Sequence, residues 1–271
     1  MNELELKCRQ QLAQAGIDGR TNYFAGVIQT APPIQHFQDL TRLPPERIEK
    51  LLEGFLSERF VDHFERRSSG LVADTDPLPF LLSSGYKRGL TWRDVPLGKT
   101  CWERVIYQQL IQDLMPKTVI EFGTARGGSA LFFLDNCRLF GSDARVITLD
   151  INTKDIVDKV RAEPAIEVIT GDVKNVVELL PASRLDELPH PWLVIEDAHV
   201  HLKTIVEHIQ PRMATGDYFV VEDLAVTAQG TAELQRALQT VPKGTFMVDT
   251  HYTDLFGRNV TCSPDAIFRK M

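Results

Sequence analysis

The sequence predicts an α/β fold: a mostly parallel seven-stranded sheet with helices on both faces, preceded by an N-terminal helical cap. Three observations carry that expectation. Strand and helix patterns alternate from about residue 118 to the C-terminus, as a sheet with helical crossovers requires. The first strand runs straight into a glycine-rich turn, "TVIEFGTARGGSA", residues 118–130. Acidic residues then stand at the ends of most of the strands, where ligands sit in open α/β sheets.

The elements follow in order. From Asn2 to about Arg67 the pattern is helical and amphipathic, with Ile48, Leu51, Leu52, Phe55 and Phe60 at helical spacing. Pro45 suits the first turn of that helix. The stretch from Ser68 to Thr100 is rich in Pro, Gly and Ser and reads as loop. This gives a cap and linker over 1–84 and a main domain over 85–271. A helix from about Cys101 to Met115 leads into the strands "TVIEF", "RVITLD", "AIEVIT", "WLVIED", "YFVVED", "TFMVD" and "DAIFRK".

Composition narrows the partners. The 271 residues carry a net charge of -7, which argues against a nucleic-acid backbone or an anionic membrane, since both need a clustered positive surface. A small molecule is the expected partner. Cys8, Cys101, Cys137 and Cys262 show no paired spacing, so neither zinc nor a disulfide framework is indicated. The N-terminus has no apolar signal core and no apolar run reaches membrane-spanning length. A cytoplasmic chain is expected. The apolar face of the N-terminal helices predicts a homo-oligomer.

The glycine turn is neither a P-loop, for want of "GK[ST]", nor a dinucleotide fingerprint, since it reads "GTARGG". Glu121 beside it would repel a pyrophosphate. It suits instead a positively charged cofactor, and S-adenosylmethionine carries an ammonium and a sulfonium. Gly123, Gly127 and Gly128 would admit close backbone approach, with Thr124 and Ser129 in the same turn. Asp150 is placed to accept from ribose hydroxyls, and Asp172 in "TGDV" to receive an adenine amino group. Any one strand-end acid could equally cap a helix; the whole row is poorly explained that way.

The run "YKRGLTWRDVPLGKTCWERVIYQQLIQDLMPKTVIEFGTARGGSALFF", with "VITLDI", "WLVIEDAH", "GDYFVVEDL" and "FGRNVTCSPDAIFRK", resembles the rhamnosyl O-methyltransferase and cephalosporin hydroxylase family over roughly residues 85–271. The resemblance implies a Rossmann-like class I methyltransferase fold, bound S-adenosylmethionine and a divalent metal that positions the acceptor. Asp197, Glu222 and Asp223 fall on the family's ligand positions. Read on their own, these three hard oxygen donors suit Mg²⁺ or Mn²⁺ better than zinc. The family's Asp and His are separated by two residues, whereas "EDAHVH" leaves only Ala198 between Asp197 and His199, so Glu196 is the competing ligand. His199 is the expected general base and His201 its competitor.

Tyr86, Arg88 and Trp92 are candidates for the acceptor pocket, and core packing is an equal reading for Trp92. The expected reaction is methyl transfer to a hydroxyl of a sugar or another secondary metabolite. Two rivals stand beside it. Asp197, His199 and His201 could form a two-His, one-carboxylate iron site of a 2-oxoglutarate hydroxylase, or the chain could be a non-catalytic adenosylmethionine-binding partner.

Overall fold

The computed structural model describes residues 58–75, 82–224 and 228–271. The predicted helices before residue 58, with Phe55 and the oligomer face, lie outside the described residues. The chain divides into a unit at Met1–Glu58 and one at Arg59–Met271; only the second is described here.

Its strands are β1 (Phe60–Val61), β2 (Thr91–Trp92), β3 (Val95–Pro96), β4 (Thr118–Phe122), β5 (Arg145–Asp150), β6 (Ile166–Thr170), β7 (Trp192–Glu196), β8 (Tyr218–Val221), β9 (Phe246–Asp249) and β10 (Ile267–Lys270). The main helices are α1 (His63–Arg66), α2 (Cys101–Leu114), α3 (Gly128–Leu139), α4 (Leu202–Ile209) and α5 (Ala228–Leu238). One sheet runs β1-β9-β10-β8-β7-β4-β5-β6, and β2 and β3 form a separate hairpin. β4 to β8 are parallel, while β10 and β1 pair antiparallel with their neighbours.

All seven predicted strands are present. The eighth is a correction: Phe60, read as part of a helical run, sits opposite Asp249 at the sheet edge. Two extended residues are too few for a period-two pattern to register against the helical spacing before them. Tertiary contacts fix this strand. Arg59 donates two hydrogen bonds to the buried Asp249, at 3.0 and 2.9 Å, and Arg67 Nε lies 2.7 Å from Asp265.

The parallel strands are buried on both faces, which is why they read as continuous apolar runs. Ile120, Ile147, Val194 and Phe219 face one core, shared with Ile205, Ile209 and Leu234 of α4 and α5. Val119, Val146, Leu193 and Val220 face the other, shared with Ile106, Leu110, Leu131 and Phe132 of α2 and α3. Neighbouring residues on each strand thus serve opposite layers.

Helix α2 begins where predicted, because Thr100 and Glu103 form a capping box: Glu103 N donates to Thr100 Oγ1 at 3.1 Å and Thr100 N to Glu103 Oε2 at 2.8 Å. It ends on Met115 in the left-handed conformation, φ 51°. Among the described residues no helix is long and apolar enough to cross a membrane.

Candidate active site

Chain order reverses between β4 and β7: β5 and β6 lie to one side, β8 to the other. This is the switch point at which open α/β sheets bind ligands. Here Gly123 N bonds Leu149 O and Asp197 N bonds Phe122 O, both at 2.8 Å. The ends of β4, β5 and β7 are thereby stitched together before any ligand arrives.

The glycines of the turn are required by the protein itself. Gly123 has φ 101°, and a Cβ there would stand 2.6 Å from Asp197 O. A Cβ on Gly127, φ 85°, would press on the Val160 side chain at 2.8 Å. One on Gly128 would fall 2.0 Å from Pro96 O, so the β2–β3 hairpin rests on the start of α3. Close approach was expected from a ligand; these contacts come from backbone and side chains of the fold.

Glu121 is fully buried. Thr148 Oγ1 donates to its Oε2 at 2.6 Å, Thr148 in turn meets Thr124 Oγ1 at 2.6 Å, and the Ser129 hydroxyl also bonds the carboxyl. Its Oε1 is buried without a partner. Desolvation raises its pKa to about 7. Asp150, one strand over, accepts Thr124 N and Ala125 N on Oδ2, each at 2.9 Å, and Asn152 N on Oδ1 at 2.9 Å. The acid expected at the ribose therefore also pins the glycine turn. Asp172 caps a single helical turn, accepting Lys174 N at 3.0 Å. That bond, with the Lys174 ammonium at 3.1 Å, holds its pKa below the usual carboxylate range.

The other acids gather at the ends of β7 and β8. Asp197 Oδ1 lies 3.3 Å from His199 Nε2, and Asp223 Oδ2 lies 3.4 Å from the same nitrogen. Asp197, His199 and Asp223 form the metal-competent cluster found among the described residues. The hydrogen bond to Asp223, followed by the charge of Asp197, raises the imidazole pKa despite partial burial, and His199 reciprocally lowers that of Asp223. Glu196 takes a different part. Its Oε1 accepts Ala198 N at 3.1 Å and His199 N at 2.8 Å, bracing a loop in which His199 has φ 58°. Burial lifts its pKa to about 7.

His201 is apart from this cluster. It is exposed at the start of α4 with φ 56°. The Asp197–His199–His201 iron triad is therefore not assembled: both histidines have left-handed backbone, φ 58° and 56°, and of the two His199 joins the cluster.

Three buried residues beside these acids escape the sequence reading: Lys99, Glu103 and Tyr107. Lys99 is 1% exposed. Its ammonium bonds Asp197 Oδ2 at 2.6 Å and also Glu222 Oε2. Tyr107 Oη donates to Glu222 Oε1, so both Glu222 oxygens are taken inside the protein. Glu103 and Tyr107 lie among the buried residues of α2 with Ile106, Leu110 and Ile111. Polar residues four apart within an apolar stripe were the available signal. Trp92, by contrast, packs edge-on against Phe132 with centroids 5.1 Å apart and donates to Asp135 at 2.8 Å. Tyr86 is 84% exposed.

The donor set fits a hard divalent cation. Among the described residues, the cations bonded to the group Asp197, Glu222, Asp223, Glu196 and Glu103 are Lys99 and His199. Burial pushes the Glu222 pKa well up, with the charge of Asp197 adding to the effect. The excess negative charge calls for protons or a cation, and oxygen-rich donors select Mg²⁺ or Mn²⁺.

Comparison with known proteins identifies the family and the fold. The rhamnosyl O-methyltransferase of Mycobacterium tuberculosis (strain ATCC 25618 / H37Rv) is 31% identical over 147 residues, covering 51% of this chain and 60% of that protein. Its namesake from Mycobacterium leprae (strain TN) is 33% identical over 137 residues, covering 49% and 59%. The matched segment thus spans less than two thirds of these relatives. Among solved structures, a CmcI apo-structure aligns with TM-score 0.56 at 21% identity over 86% of this chain and 99% of that one. CmcI with Mg-SAM aligns with TM-score 0.55 at 23% identity over 82% and 94%. At these identities the likeness establishes a shared Rossmann-like fold. The family profile described as rhamnosyl O-methyltransferase/CmcI matches residues 84–245, more than half of the chain and all of the clustered acids, and the chain belongs to that family.

Proposed function

We propose that this protein is an S-adenosylmethionine-dependent O-methyltransferase acting on a hydroxyl of a sugar or another secondary metabolite, assisted by Mg²⁺ or Mn²⁺. The observation that carries the reading is the convergence, at one switch point, of Glu121 and Asp150 on one side with Asp197, Glu222 and Asp223 on the other. The names of the relatives, and the Mg-SAM bound by a CmcI, support it.

Glu121 would face the cofactor's ammonium, and Asp150 the ribose, while still bonding Thr124 N and Ala125 N. A divalent cation would be held by Asp197 and Asp223, with Glu222 beside them. When bound it supplies Lewis acidity to an acceptor hydroxyl. Asp197 and Asp223 hold a proton on His199 Nε2 while no ion is present; with those oxygens turned to the cation, Nε2 would be free to take the hydroxyl proton. When bound, S-adenosylmethionine would supply its methyl carbon to that oxygen, the carbon–sulfur electron pair staying on sulfur as S-adenosylhomocysteine. The cofactor's positive charge disappears in this step, so carboxylates near the methyl would favour the ground state. Burial of Glu121 in a hydroxyl-lined niche keeps its charge low.

The test has two arms. S-adenosylhomocysteine should raise the melting temperature by mass action, and Asp150→Ala should weaken that binding at least tenfold. A shift with NAD or ATP and none with adenosyl ligands would end the proposal. EDTA should then abolish methyl transfer to a panel of sugar and phenolic acceptors, with Mg²⁺ or Mn²⁺ restoring it. Consumption of 2-oxoglutarate without methylated product would instead favour a hydroxylase.

A further inference from the structure

We propose that Lys99 is a resident cation that occupies the Glu222 contact of the site, so that Glu222 serves the protein interior and an incoming divalent ion is met by Asp197 Oδ1 and by Asp223, whose oxygens have only the His199 N–H to give up. The inference rests on the proposed divalent-cation site and assigns its donors.

The geometry is specific about which oxygens are taken. Lys99 Nζ engages Asp197 Oδ2 and Glu222 Oε2, and Tyr107 engages Glu222 Oε1. The remaining oxygen of Asp197 and one oxygen of Asp223 both meet His199 Nε2, at 3.3 and 3.4 Å. The side chains divide in the same way by exposure. Those of Lys99 and Glu222 are 1% and 2% exposed, whereas those of Asp197 and Asp223 are 23% and 44% exposed.

Lys99 is also fixed from behind. It directly precedes the capping box formed by Thr100 and Glu103, and both Glu103 and Glu121 add to its electrostatic hold. An ammonium buried this deeply cannot leave its carboxylates without a large desolvation penalty. A divalent ion therefore meets a site whose third carboxylate is already paired and whose charge is already reduced by one. Lys99 should weaken and make exchangeable the binding of the ion, acting as a positioning residue that never touches the acceptor.

Mn²⁺ binding, followed by the loss of the free-ion EPR signal, tests this without catalysis. Lys99→Met should bind Mn²⁺ at least tenfold more tightly than wild type, because it frees Glu222 and removes a positive neighbour. Its melting temperature should fall without Mn²⁺ and recover with it. Glu222→Gln, which keeps one oxygen for Lys99 and turns its amide N–H toward the Tyr107 hydroxyl, should change the affinity of the otherwise wild-type protein by less than threefold. A folded Lys99→Met whose Mn²⁺ affinity is unchanged or weaker overturns the inference. So does a Glu222→Gln that loses Mn²⁺ more than tenfold, which also serves if Lys99→Met does not fold. Mn²⁺ bound by Lys99→Met but not by wild type would support Lys99 as the resident cation while removing the metal from the proposed reaction; binding by neither would overturn both.

Discussion

At the ends of β4 and β5 the buried carboxyl of Glu121 is bonded by hydroxyl groups, and one of its oxygens has no partner. At the ends of β7 and β8, Asp197 and Glu222 share a buried ammonium. The two regions meet a common problem, a carboxyl removed from water, by different means. Hydroxyls donate without supplying charge, so the first region is left for the proposed cofactor's ammonium to complete. The second carries its own cation, so whatever binds there must compete with it or use the oxygens it leaves.

The sharpest way to break this comparison is at His199, which bridges the two half-buried acids. His199→Ala should leave S-adenosylhomocysteine affinity intact and lower the methylation rate by about 10²–10⁴-fold, the range for a positioned acid or base. His201→Ala should do far less, since His201 lies outside the cluster. Single-turnover rates with saturating cofactor make the measurement. If His201→Ala proves the crippling change, the base lies on the other side of the left-handed turn and the proton path must be redrawn.

How much of this could be read beforehand differs between the regions for a physical reason. The glycine turn, Glu121 and Asp150 are local: strand, turn and acid follow one another in the chain, and the sequence displays them together. The ammonium is not local. Lys99 reaches Asp197 and Glu222 across 98 and 123 residues, and no pattern within a window of chain foretells such a pairing. The ends of β7 and β8 were legible as acids, but which oxygens are open depends on α2 packing over them. β1 failed for the same reason, since its two residues are extended only because β9 lies beside them.

A second prediction weighs scaffold against ligand in the glycine turn. Gly128→Ala places a methyl 2.0 Å from Pro96 O, a backbone atom that can yield only if the β2–β3 hairpin shifts. Overpacking of this kind costs about 1–3 kcal/mol, or about 2–10 °C in melting temperature for a unit of this size. Gly141→Ala, at φ 87° with nothing near the added methyl, should cost about 1 kcal/mol from backbone strain alone. The loss at Gly128 should be present with and without cofactor in thermal melts. A loss seen only in cofactor affinity, with stability untouched, would return this glycine to the ligand.

The smallest effect expected is a pH dependence that separates the two regions by charge. Burial raises the Glu121 pKa from 4.5 to about 7. The folded state therefore holds this proton more tightly than the unfolded chain does. Its contribution to stability is full below the unfolded value and is lost as pH climbs through the folded one. Ligand binding runs the opposite way, because a cationic cofactor prefers the ionised carboxylate. Affinity for S-adenosylmethionine should rise about tenfold between pH 6 and pH 8, as the protonated fraction near pKa 7 falls away, with a proton released that titration calorimetry in buffers of differing ionisation heat will detect. Glu121→Gln should flatten both trends, making the protein relatively more stable above pH 7 while holding cofactor affinity at the wild-type pH 6 level. Unchanged pH dependence in that variant would mean that Glu121 stays neutral throughout, and that the cofactor's charge is answered elsewhere.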